Sequence, residues 1–111
     1  MSDIAIIYST AATREDAVTL GRTLVEERIV ACANVVDGAT SIYWWEGAVQ
    51  QEGEAVLLLK TRSELVDRAM RRIRALHRYE CPALVAWNPA AVSADYRAWI
   101  LNQTVTPAEE S

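Results

Sequence analysis

The chain is short of basic charge, of metal-ligating side chains and of glycine, and each shortage excludes a class of protein. Eleven Lys and Arg stand against fifteen Asp and Glu, a formal net charge of −4. That balance argues against a nucleic-acid partner or an anionic membrane surface, both of which favour a basic face. One His and two Cys, Cys32 and Cys81, neither build a disulfide framework nor supply the converging ligands of a firm metal site. With one His no Ser-His-Asp or Cys-His arrangement is signalled, and the four glycines form no P-loop or dinucleotide pattern. The sequence therefore reads as that of no enzyme. No apolar run is long enough to span a bilayer. The opening Met1-Ser2-Asp3 lacks the basic n-region and cleavage site of a signal peptide. A reduced, cytoplasmic location is expected, where free buried cysteines are ordinary.

What is present is a single globular domain over residues 1–111, with 51% apolar and 23% charged residues. The stretch Thr40-Ser41-Ile42-Tyr43-Trp44-Trp45-Glu46-Gly47 followed by Ala48-Val49-Gln50 predicts a hairpin. Aromatic and β-branched residues suit a pleated surface, and Gly47 supplies the positive φ of a two-residue turn. Trp45 then faces Ala48, Trp44 faces Val49 and Tyr43 faces Gln50. Alternation puts Ile42 and Trp44 on one face, Tyr43 and Trp45 on the other. Neither face suits water, and one small core cannot cover both. A second subunit is expected to cover the remainder, with Tyr43, Trp44 and Trp45 as interface anchors in preference to a ligand platform.

Around that hairpin the order reads βαββαβ with an extra C-terminal helix. Ile4 to Tyr8 is a buried strand. Thr13 caps a helix that carries Ala17, Val18, Gly21, Leu24 and Val25 to about Arg28. A long strand from Val30 to Trp45 is expected to bend at an Asp37-Gly38 bulge, and Glu52-Gly53-Glu54 on the return arm is a candidate bulge in register with it. Ser63 is expected to cap a second helix, whose stripe is Leu65, Val66, Ala69, Met70, Ile73 and Leu76. Arg68, Arg71, Arg72 and Arg74 lie off the stripe as a solvated face. Leu84 to Trp87 forms a fourth strand, and Ser93 caps a last helix with Tyr96, Trp99 and Ile100 on one side. The tail 104–111 is polar and expected to fray. The fold class is α+β, a ferredoxin-like βαββαβ sandwich with two helices on one sheet face. Fold analogy alone gives no function: Ser9-Thr10-Ala11-Ala12 lacks the arginine and glycines of an acylphosphatase-like anion loop, and the acidic charge opposes RNA recognition.

Ala31-Cys32-Ala33-Asn34, the run Thr40 to Gly47, Leu58-Leu59-Lys60-Thr61 and His77-Arg78-Tyr79-Glu80-Cys81-Pro82 together resemble the CutA1 family of divalent-cation tolerance proteins. The resemblance runs in order from about Ile4 to Leu101, and the Ser41 to Gly47 run is its most specific part. It implies a PII-like homotrimer in which the long hairpin reaches neighbouring subunits, and a role in tolerance of divalent cations, copper above all. Tentative cleft residues are then Ser9, Lys60, Tyr79 and Trp45, with His77 as the candidate ligand for Cu²⁺ or another divalent cation. A second implication is a PII-like sensor of a small anionic ligand. The sequence departs from the family pattern at Arg78, where Pro is frequent, at Ala83, where Glu is, and at Ser9 and Leu76, where some members carry Cys and His. From the residues alone, His77 capping the last helical carbonyls with Cys81 packed competes with weak ion binding at a subunit cleft. Cys32, inside an apolar strand, reads as a packing residue.

Overall fold

A computed structural model describes residues 3–105. The elements run β1 (Ile4–Ala11), α1 (Arg14–Glu26), β2 (Cys32–Trp45), β3 (Ala48–Arg62), α2 (Val66–Leu76), β4 (Val85–Trp87) and α3 (Ala94–Gln103), with a 3₁₀ turn at Ser63–Leu65. The strands form one antiparallel sheet in the order β2-β3-β1-β4. This is the mixed α+β order expected, with three helices.

Odd-numbered residues of β1 and β3 point at α1 and α2. Ile7, Leu57 and Leu59 are fully buried there among Ala17, Leu20, Leu24, Ala69 and Ile73, and each large aliphatic side chain contributes about 1.5–3 kcal/mol. Thr13 caps α1 as predicted, its hydroxyl accepting from Asp16 N at 3.1 Å. Leu20, absent from the predicted stripe, is buried. Gly21 faces Ala33: a Cβ on Gly21 would stand 2.8 Å from the Ala33 Cβ, so the helix lies unusually close to β2. On α2, Ala69 and Ile73 are buried, whereas Leu76 is exposed.

The second apolar cluster, Ile4, Ala31 and Ile100 with Val92 and Leu101, sits under α3 on the opposite face. Only one end of that face is covered. Its remainder, by alternation and register, carries Ile6, Tyr8, Leu58, Lys60, Val85 and Trp87.

Several local expectations are corrected. The second strand begins at Cys32, not Val30. Helix α1 ends at Glu26, the chain turns through Arg28 at φ 63°, and the amides of Ile29 and Val30 donate back to Leu24 O. Those donors are spent on the helix end, so ladder pairing starts with Ala31 N to Lys60 O at 2.8 Å. The bulge lies on β2 alone: Val36 pairs with Val56 and Ala39 with Glu54, so Asp37 and Gly38 oppose Ala55. Glu52-Gly53-Glu54 pairs without interruption. Ser63 does not cap α2, because the chain first makes the 3₁₀ turn and the Ser63 hydroxyl accepts from Asn88 Nδ2 at 2.8 Å. Ser93 occupies the N-cap position of α3 without a side-chain cap bond. On α3 only Ile100 is buried; Tyr96 and Trp99 stack on each other, centroids 5.7 Å apart, and remain partly exposed. Thr104 and Val105, expected to fray, are held. Thr104 accepts from Arg62 Nε at 2.8 Å, and Val105 N donates to Arg28 O at 3.0 Å. The rest of the predicted tail, 106–111, lies outside the described residues.

The hairpin follows its predicted register, Trp45 to Ala48, Trp44 to Val49 and Tyr43 to Gln50. Both turn residues have positive φ, 51° at Glu46 and 80° at Gly47, the signature of a type I′ turn. Trp44 is 74% exposed and Ile42 66%, so within one chain this face of the hairpin stands largely in solvent.

Candidate functional site

The polar residues converge where β1 ends and the hairpin arms run on without it. Residue His77 ends α2, its amide still bonded to Ile73 O, and Cys81 before Pro82 is held out of helical geometry. The intervening loop passes the end of β1. There His77 Nε2 meets Thr10 O at 2.6 Å, and Nδ1 accepts from Tyr79 N at 3.0 Å. Since Nδ1 accepts, Nε2 carries the proton and donates. His77 therefore joins strand to loop; it does not cap helical carbonyls. Cys81, expected to be packed, is exposed.

Tyr79 leans on the His77 ring, centroids 4.6 Å apart, and its hydroxyl donates to Glu54 Oε2 at 2.8 Å. Across the hairpin, the Tyr43 hydroxyl donates to Glu52 Oε1 at 3.2 Å. Glu52 and Glu54 share one side of β3 by alternation. Burial, then the hydrogen bond to Glu54, pushes the Tyr79 hydroxyl far above the ordinary tyrosine range. The Tyr43 hydroxyl is raised by desolvation and then by Glu52. Both phenols stay protonated donors to two carboxylates.

The tentative cleft residues do not all meet within one chain. Ser9 lies on the helix-facing side of β1, fully buried, and its hydroxyl has no partner among the described residues. Lys60 lies on the opposite face of the sheet and donates to Asn34 Oδ1. Trp45 is at the tip. Its partner Ala48 is twelve residues along β3 from Lys60, about 40 Å at about 3.3 Å per residue, nearly the 43 Å length of the molecule. His77 and Tyr79 do come together. Sequence reasoning missed Thr10, Glu52 and Glu54; the Glu-Gly-Glu alternation on one strand face was the available signal for the carboxylates.

The donor set fits a firm metal site poorly. Among the described residues no three His, Cys, Asp or Glu side chains gather, and both His77 ring nitrogens already bond backbone groups. A cation at His77 would have to displace one of those bonds. Of the departures from the family pattern, Arg78 reaches Asp16, Nε to Oδ2 3.3 Å, and Ala83 is exposed. Cys32 is half-buried with Sγ 3.5 Å from the Tyr96 hydroxyl.

Comparison with known proteins places this arrangement. The chain is 38% identical over 99 residues to the divalent-cation tolerance protein CutA of Thermus thermophilus, covering 89% of this chain and 96% of that protein. It is 34% identical over 99 residues to the chloroplastic protein CutA 1 of rice, again 89% of this chain but 56% of the relative; the chain thus spans about half the length of that plant protein. The crystal structure of CutA from Xylella fastidiosa superposes with a TM-score of 0.91 at 35% identity, covering 94% of this chain and all of that one. Residues 5–103 match the family described as CutA1 divalent ion tolerance protein, and the chain belongs to that family.

Proposed function

We propose that the chain works as a non-catalytic homotrimer of PII-like architecture that binds divalent cations, copper among them, weakly at clefts between subunits in the cytoplasm. The observation that carries this reading is the span between Trp45 and Lys60. One chain holds them about 40 Å apart, so a cleft containing both needs the hairpin of a neighbour. The apolar groups left exposed are those such a neighbour would cover: Trp44 and Val49 on the hairpin, Val85 and Trp87 on the open sheet face. Trp and Tyr on such a surface are typical anchors of buried contacts. Glu52 and Glu54 supply the negative charge for a cation there, and the poor single-chain donor set agrees with weak binding completed by a second subunit. Light scattering at micromolar concentration tests the assembly; a monomer would sink the reading. Titration with Cu²⁺ tests the cation, and unchanged affinity in His77→Ala would remove His77 as a ligand.

A second reading, a sensor of a small anionic ligand in the same cleft, is favoured by one feature. Lys60 is the only lysine of the chain, and it sits on the open sheet face. Calorimetric titration of the trimer with nucleotides beside Cu²⁺ discriminates the two.

A further inference from the structure

The chain leaves its last described residue beside the arginines of α2, on the helix layer and away from the open sheet face. Val105 N donates to Arg28 O at 3.0 Å, and Arg28 Nη1 donates to Gln103 O at 3.3 Å and to Gln103 Oε1 at 3.1 Å. The end of α3 is thereby fastened to the turn that follows α1. Glu27, next to Arg28, grips Arg72 of α2 in a fork, Nε to Oε1 2.9 Å and Nη2 to Oε2 2.7 Å. The exit of the chain therefore stands one residue from the carboxylate that holds Arg72. A cleft of about 440 Å³ opens there, lined by Glu27, Ile29, Arg68, Arg71, Arg72 and Ala75. Arg68 has an interaction of its own, and Arg72 is taken by Glu27. Arg71 is exposed and has no hydrogen bond or ion pair among the described residues. Ile29 gives a buried apolar floor.

Six more residues of the sequence follow Val105, Thr106-Pro107-Ala108-Glu109-Glu110-Ser111, and their only side-chain charges are two adjacent carboxylates. We propose that this segment is the occupant of the cleft, an acidic strap that folds back along α2 and pairs Glu109 or Glu110 with Arg71. Reach allows it. Thr106 before Pro107 favours extended backbone, and the four residues from Val105 to Glu109 then span about 13 Å. Successive side chains of an extended chain point to opposite sides, so one of the two carboxylates faces the cleft in either register. Exposed ion pairs are weak singly. A tether this short, however, holds the carboxylates at an effective concentration on the order of millimolar, and the guanidinium fork matches a carboxylate edge. The strap would close the basic face of an otherwise acidic chain to outside anions, and it would open as salt rises.

The test is nitrogen-15 relaxation of the full chain, reading the backbone order of Ala108, Glu109 and Glu110. Wild type at low salt is compared with Arg71→Glu, with the pair Glu109→Gln and Glu110→Gln, and with Arg14→Glu. Arg14 is an exposed arginine at the opposite end of α1, so its variant carries the same charge change away from the cleft. The expected order parameters lie above about 0.6, the bound of flexible backbone, in wild type and in Arg14→Glu. They fall below it in Arg71→Glu, in the glutamine pair, and in wild type at about 1 M salt, where the Debye length is about 3 Å. The glutamine pair alters no described residue, so its result does not depend on how Arg71→Glu folds. Values below about 0.6 in wild type at low salt would overturn the proposal. So would order that survives Arg71→Glu, the glutamine pair or high salt, or an equal loss in Arg14→Glu.

Discussion

The Tyr79 hydroxyl donates to Glu54 Oε2 at 2.8 Å, and through it the loop leaving α2 is tied to the arm of the hairpin. Glu54 pairs with Ala39, the first β2 residue past the bulge. The tie therefore grips the arm where β1 has ended and the two hairpin strands continue alone. With His77 bonded to Thr10 O, one loop fastens the last residues of β1 and the base of the projecting arm.

Removing that tie has a stability cost and a pH signature. Hydrogen bonds to a carboxylate contribute about 1.5–3 kcal/mol when buried. Both groups here are half-exposed, so Tyr79→Phe should cost about 1 kcal/mol in urea unfolding. The Tyr79 hydroxyl is raised in the folded chain above its ordinary value of 10.0, by burial and then by Glu54. The folded protein therefore binds the proton more tightly than the unfolded one. That contribution is complete below about pH 10 and is lost as pH rises above it. Tyr96, raised to about 12 by its bond to Cys32 and then by burial, adds a loss between about pH 10 and 12. Alkaline unfolding followed by tyrosinate absorbance should show a shallower decline in Tyr79→Phe; an unchanged curve would refute the link.

Ser9→Ala is expected to be neutral or to stabilise by up to about 1 kcal/mol. The hydroxyl is fully buried without a partner among the described residues, and its removal relieves an unmet desolvation cost. Thermal unfolding decides it. A loss above about 2 kcal/mol would mean the hydroxyl has a partner in solution.

Glu46→Asn should stabilise the chain by about 0.5 kcal/mol. Glu46 holds φ 51° ahead of Gly47 at φ 80°, and Asn-Gly is the preferred pair of a type I′ turn. Chemical denaturation with unchanged m-value is the readout, and a destabilised variant would mean that the Glu46 side chain has a role at the tip.

Trp44→Ala should abolish assembly while leaving the fold of the subunit intact. With 74% of Trp44 exposed, its truncation removes little burial inside one chain, whereas interface tryptophans commonly contribute about 2 kcal/mol or more. Light scattering and circular dichroism together check it. An oligomer of unchanged mass would count against the hairpin as an assembly arm.

The hairpin was legible because its information is local. The turn at Glu46-Gly47 sets which residues face each other, and Asp37-Gly38 marks the bulge nine residues away by its own backbone preference. Ile29-Val30-Ala31 misled because an apolar run reads alike as a strand and as a buried connection. The amides of Ile29 and Val30 were claimed by the end of α1, which a hydrophobic pattern cannot record. Ser63 had the chemistry of a cap, yet Asn88, distant in sequence, takes its hydroxyl. His77 and Tyr79 could be singled out, but not their partners Thr10 and Glu54, which are 67 and 25 residues away.

The sequence by itself determined the element order, the hairpin register, the bulge and the family, because turn chemistry, periodicity and short motifs act over a few residues. Only the tertiary structure decided which side chains meet. Strand pairing brought Glu54 to Tyr79, and the two faces of the sheet set Ser9 apart from Lys60. The stretched hairpin put Trp45 beyond the reach of either. Contacts of that kind depend on chain crossings between distant segments, and no local pattern encodes them.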